Sequence, residues 1–186
     1  MNKTSNIEWS RSFLIEKLPE PLMRASSHLQ LFDSYIETTR LRLRRVRDPY
    51  TGSWTRSLQQ RIVAGDRVPN VRKIAEIHLN DAEYALFQRF EGREIRRNRY
   101  FHEIDRFLFT FDVYLGDLAG LTTARVGFEN ADEMEAYEPP RFTIFEITND
   151  PFFAGENLVG KHYAEVRDEV DKLGLQLPRT IELADE

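Results

Sequence analysis

The stretch YIETTRLRLRRVR, residues 35–47, decides the fold prediction. Within it, Arg40, Arg42 and Arg44 stand at every second position, with Leu41 and Leu43 between them. A β-strand sends alternate side chains to opposite faces, so this spacing predicts three guanidinium groups on one face of a strand. Such a row repels itself unless carboxylates or a bound anion neutralise it, and the planar guanidinium fork suits phosphate oxygens. The stretch alone leaves a phosphate site and an ion-paired strand face equally open.

Composition is typical of a soluble globular protein. The chain has 186 residues, of which 41% are hydrophobic and 31% charged, with a formal net charge of −5 and no cysteine. This length suits one domain, and the lack of cysteine excludes disulfides and thiolate metal sites. No apolar run reaches membrane-spanning length and the first residues lack a signal-peptide pattern, so we expect a cytoplasmic protein that does not enter the membrane. The negative net charge argues against a general nucleic-acid binder.

Hydrophobic periodicity and turn residues predict nine short strands, which cover residues 7–18, 29–37, 40–47, 54–63, 71–79, 93–103, 106–114, 121–129 and 142–148. A helix is predicted from Asn80, where Glu83 completes a capping box, to Gly92, with a buried stripe of Leu79, Leu86, Phe87 and Phe90. One or two helical turns are predicted at 131–136, and an amphipathic helix at about 157–173. The prediction is a single α+β domain over residues 1–186 with its core at about 7–173. Its antiparallel sheet is closed or nearly closed into a barrel, with helices packed outside.

Ionisable side chains follow the polar phase of several predicted strands. They are Glu8, Arg40, Arg42, Arg44, Arg61, Arg72, Glu76, Arg97 and Arg99. The strand at 106–114 turns Phe107, Phe109 and Phe111 to one face and Asp112 to the other. A barrel accommodates both patterns if the apolar faces point outward and the charged faces point into the lumen. Buried charges need partners or a ligand, and a polyphosphate with a divalent metal would satisfy arginines and carboxylates together.

The motifs in this order resemble the CYTH domain, the fold of the triphosphate tunnel metalloenzymes. That superfamily includes class IV adenylyl cyclases, thiamine triphosphatases and bacterial inorganic triphosphatases. The resemblance covers about residues 7–173. Its segments are IEWSRSFLI (7–15), RLRLR (40–44), SLQQR (57–61), the strand carrying Glu76, RRNRY (96–100), FDVYLGDLAGL (111–121) and FEITNDPFFAGENLV (145–159).

The resemblance implies a role for each charged position. The phosphate-binding residues would be Arg40, Arg42, Arg44, Arg61, Arg97, Arg99 and, from its place on the eighth strand, Arg125. The catalytic residues would be Glu8, Glu76 and Asp112. These three carboxylates, together with Glu129, would be the ligands of Mg²⁺ or Mn²⁺.

The metal-binding motif departs from the family pattern. Catalytic members are expected to bind metal mainly through two Glu-x-Glu pairs, and here Ser10, Arg125 and Gly127 stand at three of the four positions. Glu8 keeps the fourth, and Glu129 lies one step along the same phase. Replacing a carboxylate by Arg125 strengthens anion binding and weakens cation binding at that spot. The predicted Mg²⁺ or Mn²⁺ site is therefore a weakened one.

Three functions stay open from the sequence. The first is metal-dependent hydrolysis of inorganic triphosphate or a related organic triphosphate. The second is a non-catalytic module that binds or senses a phosphorylated ligand or polyphosphate. The third is a structural barrel whose lumen is ion-paired. An adenylyl cyclase is favoured less than a phosphatase, because no adenine pocket can be identified. The sequence does not show the oligomeric state and leaves a homodimer open.

Overall fold

A computed structural model of the chain describes residues 6–63, 71–90 and 92–174, with residues 6–8, 61–63 and 71–73 described by their backbone only. The strands are β1 (Asn6–Ile15), β2 (Leu29–Tyr35), β3 (Leu41–Arg47), β4 (Trp54–Val63), β5 (Val71–His78), β6 (Glu94–Ile104), β7 (Phe107–Leu115), β8 (Thr122–Phe128) and β9 (Thr143–Glu146). The α-helices are α1 (Asp81–Phe87), α2 (Ala131–Ala136), α3 (Gly155–Leu158) and α4 (Tyr163–Lys172). Short 3₁₀ turns lie at Gln88–Phe90, Gly116–Leu118 and Pro151–Phe153.

The strands form one antiparallel sheet in the order β5-β4-β3-β2-β6-β7-β8-β1-β9. Most neighbours in the sheet are also consecutive in the chain, as expected when short turns join antiparallel strands. Strand β1 pairs with β8 and, through Asn6–Trp9, also with β5 at the other end of the strand order. The predicted α+β class with an antiparallel sheet is confirmed.

Aromatic and branched side chains make one face of the sheet apolar. The alternation in β7 buries Phe109 and Phe111 completely, and they pack with Phe13 and Ile15 of β1. This face is covered mainly by connecting segments, through Leu18, Leu22, Tyr137 and Phe142. Burying a large apolar side chain stabilises a fold by roughly 1.5–3 kcal/mol, so this cluster fixes which way β7 faces. Asp112 is thereby turned to the opposite face.

Helix α4 packs on the charged face rather than on the apolar one. Its buried Val166 and Val170 belong to one cluster with Leu14 of β1 and Ile95 of β6. Leu14 shares the phase of Ser10 and Ser12, and Ile95 shares the phase of Arg97 and Arg99. The prediction that helices pack outside is therefore wrong for α4, which covers one end of the face that carries the arginines.

Two helix predictions need correction. The predicted helix at 157–173 is two helices, because Gly160 adopts a φ of +81° between α3 and α4, where a side chain would meet Arg93.

The capping box of α1 is confirmed, since Glu83 N–H donates to Asn80 Oδ1 at 2.9 Å and Asn80 N–H to Glu83 Oε2 at 2.8 Å. Its predicted buried stripe is wrong. Leu86 and Phe90 are exposed, and Tyr84 is the buried residue of this short helix.

Candidate functional site

Antiparallel register aligns the polar side chains of neighbouring strands on one face of the sheet. Asp33 lies opposite Arg44, Arg42 opposite Gln59, and Gln59 opposite Glu76. Farther round, Arg99 lies opposite Asp112, and Arg125 opposite Ser12. A cavity of about 710 Å³ lies over this face. Its charged lining consists of Arg40, Arg42, Arg44, Arg97, Arg99, Arg125, Glu76, Asp112 and Glu156, with His78 beside them.

Asp33 of β2 holds three of these arginines together. Arg44 donates to both carboxylate oxygens, from Nε at 2.6 Å and from Nη2 at 2.7 Å. Arg97 Nη2 donates to Oδ2 at 2.7 Å, and Arg42 Nη1 lies 3.4 Å from the same oxygen. Asp33 is fully buried, which by itself would raise its pKa, but Arg42, Arg97 and Arg44 hold that pKa well below its usual value. Asp33 is therefore a carboxylate anion.

Asp112 of β7 forms a second arginine pair. Arg99 donates to Oδ1 from Nε and to Oδ2 from Nη2, both at 2.7 Å. Arg97 Nε lies 3.0 Å from Oδ2, so Arg97 bridges Asp33 and Asp112. Burial would raise the pKa of Asp112, but Arg99 and Arg97 lower it. Burial would likewise lower the pKa of Arg97, but the two aspartates hold that pKa well above its usual value.

A chain of hydrogen bonds joins Arg42 to Glu76. Arg42 Nε donates to Gln59 Oε1 at 2.8 Å, and Gln59 Nε2 donates to Glu76 Oε1 at 2.6 Å. Burial would raise the pKa of Glu76, but hydrogen bonds from Ser57 and Gln59 lower it. Gln59 is buried, so it fixes the position of Arg42 from below. Glu76 is an exposed carboxylate at the cavity.

The other predicted site residues fall in different places. Arg40 lies in the turn before β3, exposed at the cavity. Arg125 lies on β8 at the cavity, and its Nε donates to Ser10 Oγ at 3.2 Å. Glu129 lies exposed in the bend after β8 and is not among the described residues that line the cavity. The side chains of Glu8 and Arg61 lie outside the described part of the chain, so their roles remain predictions.

Residues near α3 close one end of the cavity. Tyr35 presents its hydroxyl to Arg42 Nη1 at 3.3 Å, and Phe153 and Gly155 line the cavity beside it. A Cβ at Gly155 would lie 2.7 Å from Tyr35 Cζ, so any larger residue there would require the Tyr35 ring to shift. Tyr114 lies at the same end with a pKa raised by burial.

Sequence reasoning missed Asp33, Gln59 and Tyr35 as site residues. One signal could have found Asp33: it shares the phase of Leu31 in LQLFDSY, and an acidic residue in a phase with buried apolar neighbours needs a cationic partner. Gln59 and Tyr35 carry no comparable signal, because their role depends on which strands pair.

The described carboxylates do not fit a divalent metal. Magnesium and manganese need several oxygen ligands with available lone pairs. Both oxygens of Asp33 and both of Asp112 accept from arginine. Among the side chains that the structure describes, which do not include that of Glu8, no group of three or more histidine, aspartate and glutamate residues could hold a metal ion. The Mg²⁺ or Mn²⁺ site predicted from the sequence therefore has no set of ligands among these side chains.

No helix in the described ranges is long and apolar enough to span a membrane.

No protein-family model matches the sequence, and no curated protein does. Solved structures match over most of the chain. One is described as the hypothetical protein NE1496, with 24% identity, a TM-score of 0.57, and coverage of 83% of this chain and 99% of that one. Another is described as the inorganic triphosphatase NE1496, with 23% identity, a TM-score of 0.56, and coverage of 82% and 93%. At these identities the likeness shows the fold, which the chain shares with these two structures, in agreement with the fold expected from its motifs.

Proposed function

We propose that this chain binds a triphosphate or polyphosphate small molecule in the cavity over the charged face of its sheet. The observation that carries the proposal is an excess of arginine. Six arginines line the cavity, against the carboxylates of Glu76, Asp112 and Glu156. If buried Asp33 is counted as a fourth carboxylate, the described side chains at the cavity still carry two more positive than negative charges. An enclosed cationic surface of this kind attracts anions strongly.

Enclosure by the sheet supports a tunnel. Strand β1 pairs with β8 and, through Asn6–Trp9, with β5, the first strand of the order, and this additional pairing supports a barrel around the charged face. Helix α3 and Tyr35 cover one end of the cavity. We propose a barrel whose lumen holds the ligand over the charged face of the sheet. Inside such a lumen, each charged hydrogen bond to phosphate is stronger than it would be in water.

The arginines are already held in position before a ligand arrives. Asp33 fixes Arg44 and Arg97, Asp112 fixes Arg99, and Gln59 fixes Arg42. Ordering a free arginine side chain on binding costs roughly 0.5–1.5 kcal/mol, so prior ordering reduces that cost. The phosphate oxygens would then meet guanidinium N–H groups that the carboxylates leave uncovered.

Calorimetric titration with inorganic triphosphate tests the proposal. Arg42→Ala and Arg44→Ala should each weaken binding by more than about tenfold, since a hydrogen bond to a charged group contributes roughly 1.5–3 kcal/mol. Arg47→Ala is the matched control, because Arg47 lies on the same strand in the opposite phase and is exposed. If Arg42→Ala and Arg44→Ala bind as tightly as Arg47→Ala, the cavity does not hold the ligand and the ion-paired structural barrel is favoured.

Hydrolysis of the bound triphosphate is the second candidate, and the fold likeness to the inorganic triphosphatase NE1496 favours it. Positioning and charge neutralisation do most of the work in phosphoryl transfer, and the arginines supply both. Glu76 is an exposed carboxylate on the sheet at the cavity, and we assign it the orientation of an attacking water. Phosphate release with and without Mg²⁺ or Mn²⁺ tests turnover. Glu8→Gln should abolish metal-dependent release and leave triphosphate affinity mostly intact if the predicted role of Glu8 is correct.

A further inference from the structure

We propose that phosphate binding in this cavity requires no divalent cation, because arginines already pair with the two buried carboxylates of the site and supply positive charge to it. The inference rests on the proposed binding function and concerns how that site neutralises its ligand. It concerns binding of the phosphate ligand and not hydrolysis of that ligand.

The two buried aspartates are committed to arginine. Asp33 is fully buried, and each of its oxygens accepts from Arg44 at 2.6–2.7 Å while Oδ2 also accepts from Arg97. Asp112 is 9% exposed, and Arg99 contacts both of its oxygens at 2.7 Å. A cation at either carboxylate would compete with arginines that already contact both of its oxygens. The displaced guanidinium groups would then be left in a nearly dry site, which is strongly unfavourable.

Arg97 makes the network one unit. It contacts Asp33 through Nη2 at 2.7 Å and lies 3.0 Å from Asp112 through Nε, and its side chain is 7% exposed. Removing Asp112 from the network to bind a cation would also disturb the arginines on Asp33. The network therefore resists a change at either aspartate, whereas a phosphate ligand can approach the arginines from the cavity without breaking it.

Arg125 supplies positive charge on the opposite wall. It lies on β8 facing the cavity, and its Nε donates to Ser10 Oγ at 3.2 Å. Ser10 and Gly127 lie opposite each other on β1 and β8, so the register places these two neutral residues on the strands beside Arg125. A divalent cation at this wall would meet like charge, which raises its energy in a poorly solvated site. A phosphate group there would meet a guanidinium donor.

Among the described carboxylates on the charged face of the sheet, Glu76 is exposed. Its Oε1 already accepts a hydrogen bond from Gln59 at 2.6 Å. Arg42 is bound to the other end of the same glutamine side chain at 2.8 Å. A ligand at this wall therefore lies beside a guanidinium as well as beside the carboxylate. A phosphate group at this wall would accept hydrogen bonds directly from Arg42. It would therefore need no metal ion to link it to Glu76.

Calorimetry of the full-length protein tests the inference with inorganic triphosphate as the probe, once in EDTA and once in excess Mg²⁺. The dissociation constants are compared at equal concentrations of free triphosphate, because Mg²⁺ also binds the probe in solution. We expect the affinity in EDTA to equal or exceed the affinity in Mg²⁺. Binding that occurs only with Mg²⁺, or that is more than about tenfold tighter with it, would overturn the inference while leaving the proposed function standing. Absence of binding in both buffers would overturn the proposed function and the inference with it.

A charge series at Arg125 gives a second readout, with circular dichroism to confirm that each variant is folded. In EDTA, Arg125→Gln should weaken triphosphate binding, and Arg125→Glu should weaken it further, by more than about tenfold relative to the wild type. Adding Mn²⁺ should restore part of the affinity of Arg125→Glu and none of the affinity of Arg125→Gln. Equal affinities of all three proteins in EDTA would show that Arg125 contributes no charge to the site and would count against the inference.

Discussion

Replacing Asp33 by asparagine should destabilise the protein strongly, because Asp33 is the buried anion on which three arginines converge. Asparagine keeps the size of the side chain but removes its charge and turns one acceptor oxygen into a donor. Arg44 donates to both oxygens of Asp33, so it loses one hydrogen bond and its counter-ion. Arg97 keeps Asp112, and Arg42 keeps Gln59.

The expected loss follows from burial. Asp33 is 0% exposed, and the side chains of Arg44 and Arg97 are 14% and 7% exposed. Removing one partner of a buried ion pair costs roughly 3–5 kcal/mol, because it leaves the other charge without compensation. For a domain of this size, each kcal/mol lowers the melting temperature by about 2–4 °C, so we expect a decrease of roughly 6–20 °C.

Urea unfolding followed by circular dichroism measures the free energy of unfolding directly. The matched control is Asp81→Asn. Asp81 also pairs with an arginine, at 2.6 Å from Arg56, but its side chain is 87% exposed. Exposed ion pairs contribute about 0–1 kcal/mol, so the control should change little. If Asp33→Asn loses no more than Asp81→Asn, the arginines do not depend on Asp33, and the account of an organised cationic surface is wrong.

Two further predictions concern acid stability and the α3 contact. The pKa values of Asp33 and Asp112 are lowered by their arginines, so their stabilising contribution is present above the unfolded pKa of about 3.9 and is lost as pH falls through the lower folded values. The urea midpoint should therefore rise with pH across the acid range, and a midpoint independent of pH there would contradict the pairing. Gly155→Ala should destabilise the protein by about 1–3 kcal/mol in the same assay, because its Cβ would lie 2.7 Å from Tyr35 Cζ. Gly127→Ala is the control, since the nearest atom to its Cβ is 3.9 Å away, and equal stabilities of the two variants would contradict the proposed contact.

The alternating pattern in the sequence predicted which face of each strand carries the arginines, but not what they bind. Arg42 and Arg44 share a phase by spacing alone, and the structure places both at the cavity. Their partner Asp33 comes from a different strand. Its phase marks it as needing a cationic partner, but nothing local in the sequence identifies Arg42 and Arg44 as that partner. Arg99 and Asp112 were assigned separate roles as a phosphate ligand and a metal ligand. Their bidentate contact arises only because β6 and β7 pair in one register out of several.

Strand ends and helix contacts were predicted less well, for a related reason. Glu129 was expected to continue the phase of Arg125, but β8 ends at Phe128 and the next residue bends into the capped start of α2. The last helix was predicted to be amphipathic, and Val166 and Val170 on it are buried. The face of the sheet that buries them was not predicted, because an amphipathic pattern states which side of a helix is buried and not which side of the sheet buries it.

The sequence by itself determined the element types, the two-faced strands and the cationic character of one face, because side-chain period and turn chemistry are local properties of the chain. The tertiary structure alone decided which carboxylates face which arginines, that Asp33 and Asp112 serve the guanidinium groups, and that α4 lies against the charged face. These outcomes depend on strand register and on contacts between residues far apart in the chain. A charge in the sequence has a sign, but its partner is fixed only when folding brings another charge within hydrogen-bonding distance in a site that excludes water.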